Sequence, residues 1–167
     1  LFGGNERYAR QRIFEVYNHV PAVLRRGLIE PLTARVDTAS PLTPLRKLKS
    51  YVQQANVPLP ERFETWNFVY REGRTKLRDA DFAAAVDLDG PLKLMREVWE
   101  AAPSDDLLER MLWYDWRFTL AENDLRKVMT MCDLAGVHVS FPMLHSDVVE
   151  LSTRIPPSMK MKGLELR

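Results

Sequence analysis

Eleven prolines, spread from Pro21 to Pro157, set the length scale on which this chain can form regular structure. Proline has no amide proton to donate inside a helix, and its ring crowds the preceding turn, so helices lie between prolines rather than across them. In those intervals apolar residues recur at three- and four-residue spacing, and short β-branched runs bounded by turn residues are scarce. The pattern predicts an all-α fold, a bundle of roughly seven or eight short helices.

Capping residues place them. Asn5 opens a helix whose apolar side carries Tyr8, Ile13, Val16 and Tyr17. Pro21 restarts it toward Leu28, and Pro31 is expected to end it. Residues 34–44 read as a loop. Thr43 and Pro44 open a helix through Leu45, Leu48, Tyr51 and Val52, and Pro60 opens another that runs to Gly73. Asp79 or Asp81 starts a short helix through Phe82. Residues 91–102 form an amphipathic one, stopped by Pro103.

Ser104, Asp105 and Asp106 then put a cap and negative charge where a helix dipole favours them, ahead of the large apolar groups of residues 106–120. Asn123 is read as the cap of a separate helix, with Leu125, Val128, Met129 and Cys132 on one stripe and Gly136 at its end. A last helix follows His145 and closes at Pro156 and Pro157.

The charge balance, 24 Lys and Arg against 23 Asp and Glu, gives +1 and makes no demand for a nucleic-acid partner. Nothing approaches the roughly 18 apolar residues of a membrane span, and one cysteine cannot make an internal disulfide. The chain is expected to be a single domain over 1–167, cytoplasmic, with no membrane or nucleic-acid partner.

Local motifs are few. There is no Walker-type phosphate loop, nucleophile elbow or zinc pattern, so no catalytic residue and no metal ligand is assigned. His138, His145, Asp147 and Glu150 are close in sequence but at a non-helical spacing across a proline, which argues against a metal site. Cys132 reads as an inert thiol on an apolar stripe, and the Trp-Tyr-Asp-Trp run at 113–116 as core rather than a stacking platform. Asp115, a carboxylate in that apolar run, needs a partner; Lys127 or Arg126 on a neighbouring helix is expected to supply an ion pair. The closing KMKGLELR reads as a solvated loop with ordinary lysines.

Two separated strings carry a resemblance. Leu1-Phe2-Gly3-Gly4 followed by Arg7-Tyr8 resembles the LFGGYxRY segment of the asparagine synthetase (glutamine-hydrolysing) family. From Asp115 through Leu120, Leu125, Lys127 and Val128 to Phe141-Pro142, Leu144, Val149-Glu150, Pro156-Pro157 and Lys160, the order and spacing resemble that family's second signature, set within residues 105–162. Where the family usually has Asp, Glu, Arg and Asp, this chain has Met129, His138, Ser140 and His145.

The resemblance implies the helical half of an ATP-pyrophosphatase synthetase domain, with an α/β nucleotide-binding half and an N-terminal glutaminase domain as partners elsewhere in a longer chain. It implies asparagine biosynthesis by a glutamine-dependent ligase: ATP and Mg convert a carboxylate, expected to be aspartate, to its adenylate, and glutamine-derived ammonia amidates it. Residues 1–8 would be the end of an active-site loop, making Gly3 and Gly4 neighbours of the pyrophosphate and substrate, and Asp115 with Lys127 a cleft or interhelix pair. Catalytic loops and cofactors would then lie outside these residues, and the piece alone is expected to be inactive and able to self-associate. An amidotransferase acting on another carboxylate, and a helical scaffold or adaptor without chemistry, are the alternatives the departures leave open.

Overall fold

The computed structural model describes residues 2–36, 43–65 and 79–166. Among them run eight helical rods: α1 (Glu6–Asn18), α2 (residues 22–34), α3 (Thr43–Ala55), α4 (Ala80–Ala85), α5 (Gly90–Glu100), α6 (residues 107–134), α7 (Ser146–Arg154) and α8 (Pro157–Lys160). Single 3-10 turns sit at Glu61–Glu64 and Pro142–Leu144, and a minimal antiparallel hairpin pairs β1 (Met161–Lys162) with β2 (Glu165–Leu166). The all-α expectation holds. The helix expected to run on to Gly73 lies, beyond residue 65, outside the described residues.

Several caps act as the sequence predicts. Asn5 Oδ1 accepts from Arg7 N at 3.0 Å, and Asp79 Oδ1 from Asp81 N at 2.7 Å. Asp106 Oδ1 takes the amides of both Leu108 and Glu109, at 2.9 and 3.1 Å, satisfying donors that a helix start otherwise leaves unpaired. At the far end of α6, Gly136 adopts φ +65. Its N–H bonds Asp133 O while that of Val137 reaches Cys132 O, the paired closure that glycine permits there.

Two expected breaks do not occur. Pro31 sits inside α2, because Arg25–Ile29 widen into a π-helical turn in which the N–H of Glu30 reaches back to Arg25 O; the turn opens just ahead of the proline. Asn123 caps nothing either. Leu107–Asp115 continues through a π-helical stretch, Trp116–Leu125, into Arg126–Leu134 as one rod, since residues 116–134 hold neither proline nor glycine to stop it. The closing segment is also not a solvated loop. Lys160 and Met161 are buried, and Gly163, at φ +62, takes the first position of a two-residue hairpin turn.

Contacts divide the chain into two compact units, the first made of residues 1–9 and 96–167, the second of residues 10–95. In the second, Tyr17, Val52 and Ala55 form the core, flanked by Phe14, Ile29 and Tyr51. The Phe14 and Tyr51 rings stack at 5.3 Å, and the Tyr51 hydroxyl donates to Ile13 O at 2.6 Å. Arg62 is buried there with its guanidinium satisfied by Val57 O at 2.7 Å, Ala55 O at 3.2 Å and Glu15 at 2.9 Å. Those partners offset the cost of taking the Arg62 guanidinium out of water.

In the first unit the core is built on the opening turns of α6. Leu108, Met111, Leu112 and Tyr114 are buried with Tyr8, Trp99 and Met161. The Trp99 and Tyr114 rings meet edge to face at 6.2 Å. Burial then stops along the same rod: the stripe of Val128 and Met129, together with Met131 and Leu134, is exposed among the described residues, Leu134 to 77%.

Candidate functional site

Asp115 ends the first, buried part of α6 and is only 8% exposed. Its Oδ1 lies 3.2 Å from Arg7 Nη1 and accepts from Thr119 Oγ1 at 2.9 Å. Its Oδ2 accepts a hydrogen bond from the Tyr8 hydroxyl. Burial, then the charge of Asp115 and then that hydrogen bond push the Tyr8 phenol far above its ordinary range, with Arg7 opposing. The carboxylate therefore joins α1 to α6 with every oxygen engaged.

This is the interhelix ion pair that an apolar setting requires, made with a different partner. Lys127 lies twelve residues further along the same rod, roughly 18 Å at helical rise, and pairs with Asp124 at 3.7 Å on the exposed face. Arg126 pairs with Glu122 at 2.7 Å. The expectation of separate helices is what misplaced both residues.

Gly3 and Gly4 lead into α1. Gly3 takes φ +72, a conformation that L side chains rarely adopt, and a Cβ added there would meet Lys160 Cβ at 3.6 Å and Leu108 Cδ1 at 3.8 Å. Gly4 faces open space. The opening turn is thereby packed on the start of α6 and on Lys160, not beside Lys127.

Beside this contact lies a cavity of about 330 Å³. One face of α6 supplies Glu109, Leu112, Trp113 and Trp116, which at spacings of three and four residues fall on one line of the helix. Ser152 and Thr153 of α7, Lys160 of α8 and Ser104 complete the polar lining. The Trp113 indole N–H is committed to Val98 O at 2.9 Å, and the Arg117 guanidinium lies over the ring at 4.7 Å. The aromatic run thus divides: Tyr114 and Asp115 pack inward, while Trp113 and Trp116 line the hollow. Reading the run as core alone missed Glu109 and Lys160; the spacing 109, 112, 113, 116 was the available signal.

The remaining candidates take structural posts. His145 Nδ1 accepts from Asp147 N at 3.4 Å and so caps α7, a job that an aspartate at that position would also do. Glu150 is held by Arg154 one turn on. No group of three His, Cys, Asp or Glu that could hold a metal ion occurs among the described residues. Cys132 is half-buried, and no helix among the described residues is long and apolar enough to cross a membrane.

The sequence model of the family described as asparagine synthase matches residues 1–167. No curated protein and no solved structure matches the chain. The family match spans both strings of residues, the opening turn and the signature downstream of Asp115, whose side chains meet at Arg7, Tyr8 and Asp115. The chain belongs to the asparagine synthase family.

Proposed function

We propose that the chain is the helical portion of a longer amidoligase that uses ATP to activate a carboxylate, aspartate in the first instance, and amidates it with glutamine-derived ammonia. The observation that carries this is the family match over all 167 residues. In the reaction a carboxylate oxygen attacks the α-phosphorus of ATP and releases pyrophosphate; ammonia then attacks the acyl carbon and AMP leaves. A carboxylate is a poor electrophile, and adenylation supplies the leaving group that it lacks.

The described residues offer no cluster that fits a magnesium ion, so no step is assigned to a metal held by this chain. Its own contribution is positional. Arg7 and Tyr8 clamp α1 to Asp115, and Gly3 is packed on Leu108 and Lys160, fixing the segment that the resemblance makes a neighbour of substrate. Nucleotide-binding and glutaminase portions of the same longer protein are the partners this reading needs. The 167 residues alone are expected to be inactive.

The test is pyrophosphate release from ATP by the longer protein, with aspartate and either glutamine or ammonia. Release that depends on aspartate supports the reading. The departures at Met129, His138, Ser140 and His145 favour one second reading, a related amidotransferase with another acceptor, which release with a different acid and none with aspartate would select. Release with no acid tested would leave the scaffold or adaptor.

A further inference from the structure

We propose that the cavity beside α6 is a binding site for a small zwitterion with an apolar body, its anionic end at Lys160 and its cationic end at Glu109. Lys160 lines the cavity, is 5% exposed, and its ammonium has neither a hydrogen bond nor an ion pair among the described residues. The fold covers most of this residue, and its ammonium, met by no protein carboxylate among the described residues, is left to the cavity that the residue lines. Glu109 lines the same hollow, and its carboxylate is likewise unpaired among the described residues. Two opposite charges around one cavity that do not neutralise each other leave both ends of a dipolar ligand to be met.

The rest of the lining defines what lies between those ends. Leu112, Trp113 and Trp116 offer an apolar and aromatic wall. Since the Trp113 N–H is already bonded, that ring presents only carbon surface to a ligand. Ser152 and Thr153 spend their protons on Val149 O and Glu150 O, at 2.7 and 2.8 Å, so only their lone pairs remain. Ser104 accepts from Asp106 N and keeps its proton to donate. The volume sits at the low end of ligand pockets, roughly 300–1,000 Å³, and suits a molecule of free amino-acid size.

Gly3 belongs to the site indirectly. A Cβ added at this left-handed position would lie 3.6–3.8 Å from the Lys160 stem and backbone and from Leu108, so the opening turn runs close beside the lysine. The inference is independent of the amidoligase reading, since every lining residue lies in this chain and binding needs no ATP.

Three probes separate the ends of the ligand: phenylalanine carries both charges, benzoate the anion alone and benzylamine the cation alone. Titrated into the full chain and followed by ligand-observed NMR and tryptophan emission, phenylalanine is expected to bind more tightly than either half. Lys160→Met should weaken phenylalanine and benzoate by about tenfold or more and leave benzylamine unchanged. Glu109→Gln should weaken phenylalanine and benzylamine and leave benzoate unchanged. Glu109 is only half-buried, so this variant keeps the test open if Lys160→Met fails to fold. No binding of phenylalanine up to roughly 10 mM, or binding indifferent to both substitutions, overturns the proposal, as does benzoate binding as tightly as phenylalanine.

Discussion

At the scale of single residues, Asp115 decides most. Its carboxylate is buried against Arg7, Tyr8 and Thr119, so removing it takes one ion-pair partner from Arg7 and leaves the buried Tyr8 hydroxyl without its acceptor. Orphaned buried donors cost more than a lost hydrogen bond returns, and Asp115→Ala should destabilise the first unit by about 2–4 kcal/mol. Urea unfolding read by tryptophan emission measures this, and repeating it across pH adds a second reading. Because the folded state holds the Tyr8 phenol above its ordinary range, its contribution is complete below pH about 10. It declines as pH rises from there, since the unfolded chain releases a proton that the folded chain keeps. Asp115→Ala removes two of the three causes of that shift, so the variant should lose less stability than the parent on the alkaline side.

At the scale of elements, α6 is one rod with two characters. Its first turns bury Leu108, Met111, Leu112 and Tyr114, whereas the stretch from Arg126 to Leu134 has no buried residue. Helical stability in proteins comes mainly from packing an apolar face, so the two ends should open with different free energies. Amide hydrogen exchange should show residues 126–134 exchanging at least about tenfold faster than 108–115. Equal protection at both ends would mean that the exposed stripe of Val128 and Met129 is covered in solution.

The sequence made the ends of elements legible and their joins illegible. Asn5, Asp79, Asp106 and Gly136 act locally, through their own hydrogen bonds or φ, and each was readable from its neighbours. The continuity of α6 was not, because Asn123 serves a helix interior as well as a start when nothing beyond it breaks the rod. Pro31 misled for a related reason: a wide turn ahead of it absorbs what a straight helix cannot. Lys160 was legible only as a charge. Its burial depends on Gly3 and Leu108, and Glu109 joins it at the cavity across more than forty residues of chain, where local spacing carries no information.

At the scale of the molecule, the first unit is assembled from both ends of the described chain, residues 1–9 and 96–167. Removing residues 2–9 takes away Gly3, Arg7 and Tyr8 together, and with them two partners of Asp115 and the wall behind Lys160. The shortened chain should melt at least about 10 °C lower, with redder emission from Trp99, Trp113 and Trp116. An unchanged melt would show that the opening segment merely rests on the unit.

The Tyr8 to Asp115 bond spans 107 residues. On a ribosome adding about 5–20 residues per second, Tyr8 emerges roughly 5–20 s before its acceptor exists. Through that interval the opening segment waits without its acceptor, and closure of the first unit is set by translation speed rather than by how fast α1 can coil.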